Sequence, residues 1–331
     1  MGKLYGAVRS VNITPPLGMA LGGYMGRDHG AEGIMDDLFA KALVLSDGSE
    51  KAVLVTTDVA AIDYDLTKLV RDIVQKNTDI KGENVMITAS HTHSGPNACR
   101  RESNYAWMNI GDTEVNSAYY TILCQNIANA IIWANNNLEE VSIGVGRGSL
   151  LGIGSNRQDP TKPFDSEVYV LRIDGKNHEP MAVVVNYACH PTVLSESNYF
   201  VSGDFPSYMM RGISKLYPSC EAMFFQGAAG NISSRYNRKG SGFDEARRMG
   251  EMLAGEVIKV MNNVTMVDEI DIKVFNLPVE IPVRDFTPDE ICVKKIEDAK
   301  RNLARLQKEG ATDGLLRAAI VMLQGAEINY M

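Results

Sequence analysis

The chain has 331 residues, 45% of them apolar, and a formal net charge of −8 at pH 7. This length suits one large domain or two small ones. The acidic balance, without a basic block, argues against a nucleic-acid-binding protein. No run of about eighteen apolar residues occurs, so we expect no membrane span.

The cysteines and the first residues of the sequence indicate in which cellular compartment the protein resides. The five cysteines are scattered, and none forms a Cys-x-x-Cys pair. A disulfide framework or a thiolate zinc site is therefore not expected. The first residues, Met1 to Gly6, lack the apolar core of a signal peptide. Together these features predict a reduced, cytoplasmic protein.

Apolar runs alternate with helical periodicity along the chain. This alternation predicts an α/β fold in which mixed sheets are layered with helices and the active site lies at strand ends. The predicted strands cover residues 51–58, 84–90, 141–147, 168–173, 181–189 and 222–226. The predicted helices cover residues 65–76, 114–137, 205–216, 243–261 and 287–309.

Three of the five histidines directly follow predicted strands. His91 and His93 belong to the hexapeptide His-Thr-His-Ser-Gly-Pro after the strand at 84–90, and His190 follows the strand at 181–189. Residues i and i+2 of a strand share a face, so both imidazoles of the hexapeptide can face one pocket. An open zinc site needs about three protein ligands, often imidazoles. The pattern predicts a metal site at two strand ends.

Two loops carry further candidate residues. Small residues fill Gly227 to Gly230, where backbone N–H groups can approach a ligand and stabilise an oxyanion. Ser233 and Ser234 follow, as nucleophiles or as turn residues, but no Gly-x-Ser-x-Gly motif supports an α/β-hydrolase. A second loop, Gly-Ile-Gly-Ser-Asn-Arg, presents Arg157 to a site or to solvent.

These motifs, in this order, resemble the neutral/alkaline non-lysosomal ceramidase family, zinc amidases that hydrolyse N-acyl sphingoid bases. The resemblance covers about residues 6 to 260 and is most specific at the His-Thr-His-Ser-Gly-Pro hexapeptide. It also rests on Asn156-Arg157, on Asn186 to His190 with the following Ser202-Gly203-Asp204, and on Gly230-Asn231-Ile232-Ser233.

The resemblance implies a role for each matching residue. His91 and His190 would be ligands of Zn²⁺. His93 and Arg157 would line the site and hold the substrate amide or the product carboxylate, and Ser233 would be a nucleophile or a polar anchor. The remaining residues implied in substrate binding are Asn156, Gly230 and Asn231. We expect zinc-activated water to attack, since Ser233 has no obvious histidine left as its base.

Some family features are missing. The family's other zinc ligands are a downstream Glu and a downstream Tyr, in Pro-Gly-Glu and Gly-Tyr contexts that this sequence lacks there. We therefore expect either a truncated chain or a site completed by Asp58 or Asp204. Residues 1–265 are predicted to form the ceramidase-like catalytic domain, and residues 266–331 a strand and a charged helix of the same domain.

The sequence indicates the type of reaction more closely than it indicates the substrate. Asn231 replaces the family's Asp and Ser234 replaces its Pro, so a simpler small-molecule N-acyl compound is as plausible as a sphingoid lipid. Two alternatives remain open. One is a metal-dependent hydrolase of another ester or amide; the other is a non-catalytic relative that binds an acyl ligand without a complete metal site.

Overall fold

A computed structural model describes residues 2–24, 27–99, 113–282, 287–311 and 313–328. The chain divides into two compact units: a larger one of residues 1–24 and 29–276, and a smaller one of residues 25–28 and 277–331. Residues 266–276 therefore belong to the larger unit. None of the described helices is both long enough and apolar enough to cross a bilayer.

The described strands all lie in the larger unit, and many are only two residues long. They are β1 (Gly2–Lys3), β2 (Tyr5–Asn12), β3 (Gly33–Ile34), β4 (Phe39–Ser46), β5 (Lys51–Thr57), β6 (Ala61–Ile62), β7 (Val85–Ala89), β8 (Asn97–Ala98), β9 (Glu139–Glu140), β10 (Ser142–Ser149), β11 (Ser155–Asn156), β12 (Glu167–Asp174), β13 (Pro180–Tyr187), β14 (Phe200–Val201), β15 (Glu221–Gln226), β16 (Ile232–Ser233) and β17 (Glu269–Ile270).

Helices account for most of the remaining regular structure. Among the described residues, the larger unit holds four α-helices and a 3₁₀ turn at Gly82–Asn84, and the smaller unit holds two helices that pack on each other. The helices are α1 (Tyr64–Asn77), α2 (Thr113–Asn135), α3 (Asp204–Leu216), α4 (Phe243–Met261), α5 (Asp289–Lys308) and α6 (Asp313–Ile328). The predicted helices correspond to α1 through α5, with ends shifted by at most a few residues.

Two sheets organise the larger unit. The first has the strand order β7-β5-β4-β2-β9, and the second has the order β10-β12-β13-β15. Neighbouring strands run antiparallel except for the pairs β5/β7 and β13/β15, which are parallel. A helix connects the strands of each parallel pair, as parallel neighbours require. Both predicted histidine-bearing strands, β7 and β13, belong to these parallel pairs.

The sheets stack face to face, with helices on both outer faces. Leu43, Val184 and Phe225 belong to the apolar layer between the sheets. One outer layer packs α1 and α2 on the first sheet, and the other packs α3 and α4 on the second. Strands β4, β13 and β15 are buried along most of both faces, which explains why their sequences read as nearly continuous apolar runs. The predicted α/β fold of mixed sheets layered with helices is confirmed.

The two sheets share one chain order. In each, three antiparallel strands lead into a helix, a strand parallel to the third, and a second helix that packs on the first. The elements are β2-β4-β5-α1-β7-α2 in the first sheet and β10-β12-β13-α3-β15-α4 in the second. The fold thus contains a topological repeat that the sequence does not display.

Polar side chains also tie the first sheet to β15. Lys41 on β4 is only 9% exposed; its Nζ donates to the carbonyl oxygen of Ala222 at 2.9 Å and lies 3.0 Å from an oxygen of Glu221. Thr56 on β5 donates its hydroxyl to the carbonyl oxygen of Phe224. These contacts satisfy backbone oxygens at a sheet edge and fix how the two sheets are aligned.

We expect Lys41→Ala to lower the free energy of unfolding by about 2 kcal/mol, because it leaves a buried carbonyl oxygen without its donor. Chemical denaturation of the wild type and the variant measures this difference. Lys68→Ala is the matched control, since Lys68 is an exposed partner of Asp72 on α1, and it should change stability little. Equal effects of the two substitutions would contradict the role given to Lys41.

Candidate metal centre

His91 lies two residues beyond β7, at the end of the first sheet. Its backbone has φ 65°, in the left-handed region that non-glycine residues rarely occupy. Its N–H donates to the carbonyl oxygen of Val59 at 3.1 Å. The ring atom Nδ1 lies 2.6 Å from the carbonyl oxygen of Ala60. Because a carbonyl only accepts, Nδ1 carries the proton and Nε2 keeps a lone pair for a metal ion.

His190 occupies the corresponding place beyond β13 in the second sheet. Its Nδ1 lies 2.9 Å from the carbonyl oxygen of Ala229 and 3.0 Å from that of Ile232, so this ring also has Nε2 left as an acceptor. Burial lowers the pKa of His190, and the charges of His91 and Arg157 lower it further. A neutral imidazole is the form that binds metal.

The three histidines meet at this edge of the stacked sheets. One ring nitrogen from each of His91, His93 and His190 lies within 4.8 Å of the other two. The Nε2 atoms of His91 and His93 are 3.3 Å apart, and the ring centroids of His91 and His190 are 4.9 Å apart. Three imidazoles that converge in this way form a donor set suited to zinc in an open site. His93 thus joins the group of candidate ligands as well as lining the site.

Gly23 and Tyr24 form a cradle for the His93 ring. A Cβ at Gly23 would lie 2.3 Å from Cγ of His93, and the backbone there has φ +88°, so only glycine fits. The Tyr24 ring meets the His93 ring edge-on at 4.9 Å, and its hydroxyl donates to the carbonyl oxygen of Leu194 at 2.9 Å. Sequence reasoning assigned no role to this pair; a Gly-Gly-aromatic triplet is the signal that could have indicated one.

The two candidate loops come together beside His190. Strands β11 and β16 pair so that Ser155 faces Ser233, and the N–H of Arg157 donates to the carbonyl oxygen of Asn231 at 2.8 Å. Ser233 in turn forms a backbone bridge with His190. The Asn-Arg loop and the Gly-Asn-Ile-Ser loop therefore border the histidine group.

Within these loops the side chains differ in their freedom to meet a ligand. Asn156 is buried, and its Oδ1 accepts from the N–H of Gln158 at 3.1 Å, so it holds its own loop in shape. Ser233 is also buried, and its hydroxyl accepts a weak bond from the N–H of Arg235 at 3.4 Å. Gly230 and Asn231 are exposed, and nothing lies within 4 Å of a Cβ built on Gly230.

The structure places the two acidic candidates elsewhere. Among the described residues, neither Asp58 nor Asp204 belongs to the group of converging ligand atoms. Asp58 accepts from the N–H of Phe39 at 3.0 Å, and Asp204 accepts from the N–H of Leu194 at 3.0 Å. Burial raises the pKa of each to about 6. Both carboxyl groups hold backbone segments in place, and their bonds direct them away from a metal ligand role.

Comparison with known proteins agrees with the predicted resemblance. Residues 7–215 match the family described as neutral/alkaline non-lysosomal ceramidase, N-terminal. The neutral ceramidase of Pseudomonas aeruginosa is 25% identical over 305 residues, which cover 83% of this chain and 45% of that protein. Neutral ceramidase B of Dictyostelium discoideum is 28% identical over 187 residues, 51% of this chain and 26% of that protein.

Solved structures show the same fold. The crystal structure of the Pseudomonas aeruginosa neutral ceramidase superposes with a TM-score of 0.70 at 23% identity, covering 80% of this chain and 45% of that one. A ceramidase complexed with C2 gives the same TM-score at 21% identity, covering 80% and 44%. This chain spans less than half the length of these relatives. The family match extends over more than half of the chain, which therefore belongs to the neutral/alkaline non-lysosomal ceramidase family, as its sequence motifs predicted.

Proposed function

We propose that this chain is a zinc-dependent amidohydrolase that cleaves the amide bond of an N-acyl substrate. The observation that carries the proposal is the convergence of His91, His93 and His190 at the joined ends of two sheets. The family match supports amide hydrolysis, because the curated relatives are named as ceramidases.

The three histidines would hold the ion through one ring nitrogen each. A bound zinc ion supplies Lewis acidity, which polarises an amide carbonyl and makes water acidic enough to act near neutral pH. The carbonyl oxygens of Ala60 and Ala229 fix the tautomers of His91 and His190 beforehand. Such partners of metal-binding histidines orient the rings and raise ligand basicity.

Arg157 supplies the site with a fixed positive charge. Its backbone is held to Asn231, and its charge acts on His190. We assign it to the amide oxygen of the substrate and the carboxylate of the product, because guanidinium groups bind both through charge-assisted hydrogen bonds. This charge would stabilise the negative charge that develops on the amide oxygen during attack.

Water is our proposed attacking group, in preference to Ser233. A serine needs an adjacent base to take its proton. The neighbouring His190 has its Nδ1 engaged by the carbonyl oxygens of Ala229 and Ile232, and its Nε2 is reserved for the ligand group. We therefore assign Ser233 the role of a polar anchor that keeps the loop at 230–233 beside His190.

The substrate class follows from the relatives and from the exposed loop. Ceramide is an N-acyl sphingoid base, and the named relatives are ceramidases. The loop residues Gly230 and Asn231 are exposed beside the histidines and leave open space. We propose a linear N-acyl compound, either a ceramide-type lipid or a shorter-chain amide, as the substrate.

We expect the purified chain to bind about one zinc ion, as a single three-histidine site would. His91→Ala and His190→Ala should each lose the metal and lower turnover by at least about 10³-fold. Elemental analysis and amide hydrolysis assays measure these quantities. His178→Ala, which removes an exposed histidine, is the control. A wild-type chain free of metal after loading with zinc would contradict the proposal.

We expect Ser233→Ala to keep turnover within about tenfold of the wild type, because the serine does not attack. A Ser233 nucleophile would instead make the loss at least about 10⁴-fold. A panel of N-acyl amides of increasing chain length, with matched esters, measures kcat and KM. Hydrolysis of the esters without detectable hydrolysis of any amide would point to an esterase in place of an amidase.

We expect Arg157→Ala to lower kcat/KM for amide hydrolysis by about 10- to 100-fold, the value of one or two charge-assisted hydrogen bonds. Zinc content should stay unchanged, because Arg157 is not a ligand. Arg147→Ala is the control, since Arg147 is an exposed arginine paired with Glu167 on the neighbouring strand. An Arg157→Ala variant with wild-type kcat/KM would remove this residue from the site.

A further inference from the structure

Thr92, the residue between the two histidines of the hexapeptide, is held in place by hydrogen bonds of its own side chain. Thr92 is fully buried, and its hydroxyl donates to the carbonyl oxygen of Ser202 at 2.7 Å. The Thr92 hydroxyl oxygen also accepts from the N–H of Ser94 at 3.2 Å. Because Thr92 is covalently bonded to His91 and His93, its position limits where both imidazoles can lie.

Ser202 connects this loop to the segment that follows His190. Its N–H donates to the carbonyl oxygen of Ser94 at 2.8 Å, so two hydrogen bonds join Ser202 to the hexapeptide. Its own hydroxyl donates to Oδ2 of Asp36 and accepts from the N–H of Asp204 at 3.1 Å. Ser202 is fully buried, which protects these bonds from competition with water.

Asp36 carries a charge that is almost completely buried. The residue is 4% exposed, and its Oδ1 forms an ion pair with Nη1 of Arg211 on α3 at 2.7 Å. Arg211 is about half exposed and its guanidinium stacks over the ring of Tyr208 at 4.1 Å. Burial of a carboxylate is costly unless it is paired and hydrogen-bonded, and a charged acceptor makes the bond from Ser202 stronger than a neutral one would.

The backbone around Asp36 strengthens the same connection. Strands β3 and β14 pair in parallel, and the N–H groups of Met35 and Asp36 both donate to the carbonyl oxygen of Val201. The chain of contacts therefore runs from Arg211 through Asp36 and Ser202 to Thr92. It links α3, β3 and the loop after β14 to the loop that carries two candidate ligands.

We propose that Asp36 is a positioning residue of the metal centre, acting through Ser202 and Thr92 on His91 and His93. This inference rests on the proposed zinc site for its consequence in metal binding. Its structural content is independent of zinc: the Asp36 carboxylate keeps the hexapeptide loop in the conformation in which the three ring nitrogens converge.

The test compares Asp36→Asn with Asp37→Asn. Each substitution removes one carboxylate charge, but Asp37 is exposed and accepts from the hydroxyl of Thr14, which lies outside the chain of contacts from Asp36 to Thr92. Zinc affinity, measured by competition with a chelating dye, should fall by about 10- to 100-fold in Asp36→Asn, as for other residues that support metal ligands. It should stay at the wild-type value in Asp37→Asn.

A second readout needs no metal. In the zinc-free protein, hydrogen exchange of the amides of Ser94 and Ser202 should be at least about tenfold faster in Asp36→Asn and unchanged in Asp37→Asn, since local opening sets these rates. If the wild type binds no zinc, the proposed function fails, and the exchange rates still decide the positioning role. Wild-type exchange in Asp36→Asn would overturn the inference.

Thr92→Val gives a test that removes no charge and keeps the side-chain shape. The double variant combines Asp36→Asn with Thr92→Val. If Asp36 acts through Thr92, the zinc affinity of this variant should be about that of the weaker-binding single variant, because both changes break the same connection. Independent effects that add would overturn the inference. Thr92→Val and Ser202→Ala also decide the matter if Asp36→Asn fails to fold, since wild-type zinc affinity and exchange in both would refute the connection.

Discussion

The face-to-face packing of the two sheets is the constraint on which the site depends. His91 follows a strand of one sheet and His190 follows a strand of the other, so no local structure brings them together. The apolar layer between the sheets supplies the attraction, and it is not directional. The hydrogen bonds from Lys41 and Thr56 to the backbone of β15 are directional, and they fix the position of one sheet relative to the other. A sliding of one sheet by a single strand residue would move His190 relative to His91 by about 3.3 Å, which is more than the length of a zinc–nitrogen bond, about 2 Å.

The topological repeat places related groups in reciprocal positions. In the first sheet His91 follows β7, the edge strand of the parallel pair. The carbonyl oxygen of Ala60, which accepts from His91, follows β5, the inner strand. In the second sheet His190 follows β13, the inner strand, and the carbonyl oxygen of Ala229 follows β15, the edge strand. Each parallel pair thus provides one imidazole together with the acceptor that fixes its tautomer.

Much of the fold could be predicted from sequence because its long elements carry strong local patterns. Strands β7 and β13 are apolar on both faces, and α1 and α4 place their apolar residues on one side. Periodicity alone could not establish the meeting of His91 with His190, since it depends on how two sheets stack; the position of the histidines after strands and the family resemblance suggested it. Two-residue strands such as β11 and β16 are too short to show a periodic pattern, so the sequence could not predict the contact between the Asn-Arg loop and Ser233. Asp58 and Asp204 looked like ligands because strand ends favour sites, yet their acceptor oxygens are used by nearby backbone N–H groups.

His91 also shows what the site costs the fold. Its left-handed backbone is a conformation that typically raises the free energy of a non-glycine residue by about 1–3 kcal/mol. The surrounding bonds from its N–H and Nδ1 hold it there against that cost. For the backbone conformation alone glycine would be favoured at this position, whereas the proposed metal site requires the imidazole. The backbone conformation and the proposed metal site therefore make opposite demands on a single residue.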